Sequence, residues 1–403
     1  MVFNLSSKII KDQKGSKLTI LQTLRMNGSM SRIDLTRITG LSRATVSASI
    51  SELIEHNLVY ETDNRKTTSG RPATSLELVP NSNIIIGADL DNNTWTIAAF
   101  DLLANIIRKI TIPANTSYPE MTIKNLSNEI KKIMEDIEGN VIPLIGVGVP
   151  GLVDTNHSII TSAAQLNWHN IDVGKIMSEE TECPTIVINR YRARGLAECR
   201  YGSGKSYDTL IYIGVGTGIA AGLYINKQLI TGSSGGAGEL GHTTIDPNGP
   251  ICACGNQGCL QTLSAGLAME QEFRRLIRSG EKSNYIDPTL DLQLIKDRDI
   301  CLAAAQGDEI ACNVIKKAAT YLGIAMANLV NLFNPEAIIL GGPIPNLSEL
   351  FVETATQVMK QRAMRSLSTE TDVKTSVFKD VGGALGAVNF ALDNKMSFSF
   401  FNK

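Results

Sequence analysis

The chain has 403 residues, 43% of them hydrophobic, and a formal charge of −2, enough apolar material for two or three domains with sizeable cores. No apolar run reaches the ~18–20 residues of a membrane span, and residues 1–17 lack the apolar core of a signal peptide. The seven cysteines, an odd number, suit a reducing cytoplasm. Charge is unevenly spread: residues 1–75 hold eleven Lys/Arg and six Asp/Glu, a net of +5, which leaves −7 for the remainder. A basic head on an acidic body points to nucleic-acid contact at the head.

Lys17 to Met26 reads as a helix with Leu18, Leu21 and Leu24 in its apolar stripe, ended by Asn27-Gly28. Ser31-Arg32-Ile33-Asp34 has the form of a capping box. The helix after it turns Leu35 and Ile38 inward and closes at Gly40. Ser42 then caps a third helix. Val46, Ile50, Leu53 and Ile54 form its apolar face, and Arg43, Thr45, Ser47 and Ser49 its polar one. Helix, glycine turn, polar-faced helix is the helix-turn-helix layout, whose second helix enters the major groove N-terminus first. Ser42, Arg43, Thr45 and Ser47 are the candidate DNA contacts. Leu58 to Glu61 and Thr74 to Leu78 can pair as a wing around the basic loop Asp63 to Pro72. Gly70-Arg71-Pro72 is slim enough to lay Arg71 in a narrow minor groove.

After a linker at Asn81 to Asn83, strands are expected at Ile84 to Leu90, Trp95 to Phe100 and Ile106 to Ile112. A helix marked by Met121, Leu126, Ile130, Ile133 and Ile137 and a buried strand at Leu144 to Val149 follow, an α/β pattern. Ile186 to Ile188 is a strand end. Leu210 to Gly214 leads into Gly214-Val215-Gly216-Thr217-Gly218, which fits a tight turn between paired strands better than a nucleotide loop. Helices are expected from Leu263 to Arg278 and from Ala311 to Phe333, and a last one opens at Gly382. Ala337 to Gly342 is a buried strand and turn.

Between these lies Gly236-Ala237-Gly238-Glu239-Leu240-Gly241-His242, then Cys252-Ala253-Cys254-Gly255-Asn256-Gln257-Gly258-Cys259. Three cysteines within eight residues and a histidine ten residues earlier supply the four nitrogen and sulfur ligands of a closed structural zinc site. His242, Cys252, Cys254 and Cys259 are that set. Gly255 and Gly258 let the last thiolate reach back.

This stretch resembles the signature of the ROK family (repressors, open reading frames and sugar kinases). The resemblance implies a two-lobed, actin-like (ribonuclease-H-like) sugar-kinase fold and zinc on those four residues. The N-terminal segment resembles the winged helix-turn-helix of ROK repressors, with Ser-Arg at both helix starts and the Gly-Arg-Pro; ROK kinases lack it. Leu166-Asn167-Trp168 resembles a sugar-proximal segment. Asn189, Glu239 and His242 match positions that bind sugar hydroxyls, and Gln261 stands where the family has a further sugar-binding glutamate. Two positions depart from the kinases. Asp89-Leu90-Asp91-Asn92-Asn93 stands for a glycine-bearing phosphate loop, and its extra negative charge disfavours ATP. Arg190 stands for the aspartate that takes the proton from the attacking hydroxyl, and a guanidinium cannot be a general base at pH 7. Beside such a site Arg190 suits an anionic group, or fills space left by a small sugar such as a pentose.

The expectation is an α/β protein. A winged helix-turn-helix spans residues 1–80, a first lobe 81–190, and a second lobe with the zinc loop 191–403, the last helix returning to the first lobe. The expected function is that of a cytoplasmic, non-enzymatic, sugar-responsive repressor. It would bind an inverted-repeat operator as a homodimer or higher oligomer and a sugar or sugar phosphate between its lobes, with no membrane partner. The alternatives are a bifunctional sugar kinase with a DNA-binding head, and a regulator that senses a sugar-transport protein.

Overall fold

Short polar caps shape the head, and leucines fill it. In the computed structural model, which describes residues 15–62, 74–91, 93–286 and 291–401, helix α1 spans Ser16–Asn27, α2 Arg32–Thr39 and α3 Arg43–Glu55. Ser31 and Ser42 accept the backbone N–H groups of Asp34 and Thr45, and Gly40 ends α2 in the left-handed region at φ 63°. These are the expected caps. Leu18, Leu21, Leu24, Leu35, Val46, Ile50 and Leu53 are buried together.

Three expectations fail here. Ile38 and Ile54 are 44% and 39% exposed, and Ser49 is buried, its hydroxyl 2.7 Å from that of Ser16. Ile54 lies ~100° around α3 from the fully buried Leu53, beyond the edge of a narrow stripe. Strands β1 (Met30–Ser31), β2 (Val59–Thr62) and β3 (Ser75–Leu78) form an antiparallel sheet in the order β1-β3-β2. The wing loop and Arg71 lie outside the described residues.

Among the described residues the body has two five-stranded sheets. The first takes β4 (Asn83–Asp91), β5 (Thr94–Asp101), β6 (Ile106–Pro113), β7 (Asn140–Val149) and, after a small antiparallel sheet of β8 (Leu152–Asp154), β9 (Ile159–Ala163) and β10 (Trp168–Asp172), β11 (Thr185–Asn189), in the order β11-β7-β4-β5-β6. Helices α4 (Pro119–Asp136) and α5 (Val173–Thr181) lie in this part of the chain, and α6 (Arg190–Tyr201) follows β11 directly. The second sheet takes β12 (Leu210–Val215), β13 (Ile219–Ile225), β14 (Gln228–Leu229), β15 (Ala337–Gly341) and β16 (Asp372–Thr375), in the order β14-β13-β12-β15-β16. Its helices are α7 (Gln261–Ser264), α8 (Gly266–Arg278), α9 (Asp297–Ala305), α10 (Glu309–Phe333), α11 (Pro343–Leu347), α12 (Glu349–Arg362) and α13 (Arg365–Ser368). The expected helix from Leu263 to Arg278 is broken, because Ala265 is extended at ψ 167°.

The last helix, α14 (Gly382–Lys395), packs on β4, β7 and β11 and against α6, while α6 also packs on β12 and β13. These two helices therefore join the sheets. Their crossing is close: a Cβ on Gly386 would lie 1.7 Å from the Ala193 carbonyl oxygen. Buried Glu198 on α6 accepts the Ser376 hydroxyl and the backbone N–H groups of Ser203, Val377 and Phe378. That ties α6 to the chain after β16. Among the described residues no helix is long and apolar enough to cross a membrane.

Candidate functional site

β11 ends at Asn189, and α6 begins with Arg190-Tyr191-Arg192-Ala193-Arg194. The Asn189 Oδ1 caps α6 by accepting the N–H groups of Tyr191 (2.9 Å) and Arg192 (3.3 Å), and its Nδ2 donates to the Gly151 carbonyl (2.8 Å). The amide expected at sugar hydroxyls thus turns the chain from strand into helix, with one N–H left over.

Arg190 and Arg194 are four residues apart, on one face of α6. Asp89 and Asp91 are two apart, on one face of β4. The faces meet. Arg194 Nη2 donates to Asp89 (2.7 Å) and Asp91 (3.1 Å), and its Nε to Asp89 (3.3 Å). Arg190 Nη2 lies 2.5 Å from Asp91, and its Nε 4.0 Å from Asp89. Both arginine side chains are 6% exposed, Asp89 is 1% exposed, and Asp91, at the rim, 34%. Two cations and two anions cancel. Glycine makes room: a Cβ on Gly383 would sit 2.1 Å from the Asp89 carboxyl carbon. Burial pushes the Asp91 carboxyl up, but Arg190 and then Arg194, by charge and hydrogen bonds, outweigh it and hold the group down to about 2. Arg190, expected as a free cation or a space-filler, is therefore committed to the carboxylates of the would-be phosphate loop.

Arg192 points away from this pair. Its Nη1 donates to the Gly235 carbonyl and its Nη2 to Glu239 Oε1 (2.8 Å), and the Tyr224 hydroxyl donates to its backbone oxygen. Burial raises the Glu239 carboxyl above its ordinary value, against the pull of Arg192 and His242. Asn189 and Glu239 thus both meet Arg192, which clasps the glycine-rich run, while Arg190 faces the other way. Tyr191 covers the next glycines, since a Cβ on Gly214 would lie 2.1 Å from its ring. The Gly214–Gly218 run is a hairpin turn, with Val215 opposite Ile219. Across the lobes Thr217 donates to Gln165 (3.1 Å). Asn167 is exposed, at φ 56° on the turn into β10. Sequence reasoning missed Tyr191, Arg192, Arg194 and Gln165; the arginines alternating directly after a strand were the available signal.

The ligand atoms of His242, Cys252, Cys254 and Cys259 all lie within 4.8 Å of one another. Cys252 Sγ is 3.7 Å from His242 Nδ1, and Cys254 Sγ 3.7 Å from Cys259 Sγ. A tetrahedral ion with ~2.3 Å bonds to sulfur separates two sulfurs by ~3.8 Å, so the set fits one. Gly258, at φ 71°, makes the loop possible: a Cβ there would meet the Asp246 carbonyl oxygen at 1.6 Å. The Asn256 backbone N–H, with the neighbouring thiols and His242, draws Cys254 down to about 7, whereas burial pushes Cys259 up to about 12. A dication at the centre would deprotonate both. Gln261 lies behind this set, its Nε2 3.4 Å from Cys252 Sγ.

On the head, Ser42, Arg43 and Ser47 are exposed and Thr45 half-buried along the start of α3. The hydroxyls of Ser42 and Thr45 are 2.8 Å apart. Arg43 makes no ion pair among the described residues.

Asp89→Asn should destabilise the chain by about 3 kcal/mol, because it leaves Arg194 buried beside a neutral amide. Arg37→Gln, at an exposed pair, should cost less than about 1 kcal/mol. Denaturant titration compares them, and equal small losses would show that the buried cluster is not a structural keystone. Asp91 is depressed in the folded state, so its contribution is present above pH ~4 and lost as pH falls towards ~2.

The chain is similar to known proteins over nearly its whole length. The ROK family pattern matches residues 85–394, and a winged helix-turn-helix DNA-binding pattern matches residues 15–60. The xylose repressor of Caldicellulosiruptor bescii is 30% identical over 95% of this chain and 96% of its own. The N-acetylglucosamine repressor of Escherichia coli O157:H7 is 30% identical over 91% of this chain and 88% of its own. Among solved structures, a ROK family transcriptional regulator described as a homolog of E. coli MLC superposes with a TM-score of 0.81 at 29% identity, covering 93% of this chain and 95% of that one. A ROK family glucokinase from Streptomyces griseus shares the fold of the body, with a TM-score of 0.70 at 24% identity over 77% of this chain and 100% of its own. A winged helix-turn-helix on a two-lobed, actin-like sugar-kinase body, matched on both parts, settles the affiliation: the chain belongs to the ROK family.

Proposed function

We propose that this protein is a cytoplasmic, DNA-binding transcriptional repressor of carbohydrate-use genes, working as a homodimer, whose body binds a sugar or sugar derivative between its lobes and releases DNA in response. The head spans residues 1–80 and the lobes 81–190 and 191–403. The observation that carries this reading is the Arg190–Asp91 pair at the start of α6. Phosphoryl transfer to a hydroxyl needs a positioned base and a phosphate cradle. Here a guanidinium stands at the first place and a carboxylate at the second, bonded to each other. The body is a binding device, not an enzyme. The relatives' names supply the ligand class: xylose in one case, N-acetylglucosamine in the other.

Asn167, Asn189, Arg190, Glu239, His242 and Gln261 are the residues we assign to the ligand side. Any ligand reaching Glu239 competes with Arg192. A ligand with a carboxylate or phosphate could take that guanidinium in its place. Ser42, Arg43, Thr45 and Ser47, with Arg71 in the wing, are assigned to DNA. The His242, Cys252, Cys254 and Cys259 set is assigned to one structural zinc, since four protein ligands leave no position for a catalytic water.

Selection of duplexes from a random pool by the full-length chain should return an inverted repeat, with half-sites about 10 base pairs apart or a multiple of that. Arg43→Ala should lower affinity for the selected duplex by about 1–3 kcal/mol and relax one position. Equal loss on random DNA would make Arg43 a phosphate contact only, and no enrichment at all would sink the DNA reading.

Protein purified without chelators should contain one zinc per chain. Cys254→Ala should lose it, and with it the fixed placement of His242 and Glu239. Metal analysis finding none in the wild type would remove the zinc assignment.

A further inference from the structure

Arg25 belongs to the head, yet both partners of its guanidinium lie on α14. Its Nη1 donates to Asn389 Oδ1 (2.8 Å) and its Nη2 pairs with Asp393. The Arg25 side chain is 2% exposed. The same acceptors take the far end of α6. Arg200 Nη1 lies 3.1 Å from Asn389 Oδ1 and 3.2 Å from Asp393 Oδ1, and its Nη2 pairs with Asp393 Oδ2. The Tyr201 hydroxyl donates to Asn389 Oδ1 (2.8 Å). Beyond α14 the chain doubles back on the head. The Phe398 ring lies 5.3 Å from that of His56 and 4.1 Å from Lys17 Nζ. Met396 and Phe401 are buried in the same core as Leu18, Leu21 and Leu24.

Helix α6 is therefore held at both ends by charge. At its start are Asn189, Arg190, Arg192 and Arg194, buried between β4 and the glycine-rich run. At its end, ~18 Å away for twelve residues, are Arg200 and Tyr201, which share Asn389 and Asp393 with the head. A helix is stiff along its axis, so a shift at one end is delivered to the other. A guanidinium and a carboxylate with low exposure tolerate little misalignment, because a partner lost in such a place is not replaced by water.

We propose that Arg25, Asp393 and Arg200, with Asn389 and Tyr201, form the joint through which α6 sets the orientation of the DNA-binding head and conveys to it the state of the buried cluster at Asn189–Arg194. This rests on the reading of the head as a DNA-binding domain. These are positioning residues and touch neither DNA nor ligand.

Hydrogen exchange on the full-length chain, comparing wild type, Arg25→Met and Arg200→Met, tests the joint. Each variant leaves Asp393 one arginine partner, so the body keeps its fold, which unchanged protection of β4 and β7 verifies. Both variants should speed exchange across α1, α2 and α3 by about tenfold or more, as the head undocks. The decisive arm is Arg200→Met, since among the described residues Arg200 has no bond to the head and a role confined to Arg25's own helix would not move with it. Should Arg200→Met unprotect the body, Tyr201→Phe, which removes only one hydrogen bond to Asn389, takes its place, with the same effect expected at a smaller size. Head protection unchanged in the body-side variants overturns the proposal. In a second arm, the selected duplex should change exchange of residues 190–201 in the wild type and not in Arg25→Met, since coupling is reciprocal. An equal change in both overturns the proposed route. If no duplex is ever selected, the DNA reading fails while the first arm still decides the joint.

Discussion

Four charges between β4 and α6 hold the arrangement on which the rest depends. Asp89 and Asp91 meet Arg190 and Arg194 in a nearly dry place. Removing any one leaves a charge without a counterion, so the four persist together or not at all. The cluster is electrically neutral, and it fixes α6 in azimuth. With Arg190 and Arg194 turned to β4, Arg192 must face the other way, towards Gly235 and Glu239. With the start of the helix fixed, its end presents Arg200 and Tyr201 to α14 and, through Asn389 and Asp393, to the head.

In the reading proposed above, the same cluster separates this body from the enzymes whose fold it shares. A fold hosts more than one function, and the site decides which. The fold of the body is shared. On the sequence resemblance, Arg190 falls at the position of the proton-abstracting aspartate and Asp91 within the phosphate loop; in the structure the two are paired with each other, and Tyr191 lies over the Gly214 turn. The two-lobed body is left to bind, and the winged head gives binding a consequence.

Much of this is legible in the sequence, for local reasons. The caps at Ser31 and Ser42, the glycine at position 40 and the leucine spacing of α1 act over a few residues, so the head reads directly. The cysteine cluster reads because its ligands lie within eighteen residues. Arg190 stands out because the family resemblance places at its position an aspartate that a kinase needs. The partnerships are not legible. Asp89 and Arg194 are 105 positions apart, and Arg25 and Asp393 368. Nothing local says that Asp91 is there to meet arginines and not merely to repel phosphate, or that Asn189 turns a helix. Ile38 and Ile54 misled because periodicity gives the direction of a stripe and not its width. The small β8–β10 sheet and the break at Ala265 carry no strong pattern of their own.

The most direct test of the central claim is ADP release from the full-length chain supplied with magnesium ATP and, in turn, glucose, xylose and N-acetylglucosamine. With Arg190 held by Asp91 at the start of α6, no sugar should produce ADP above the sugar-free rate. Sugar-dependent ADP release by the wild type, lost on Asn189→Ala, would contradict the account and make the body an enzyme.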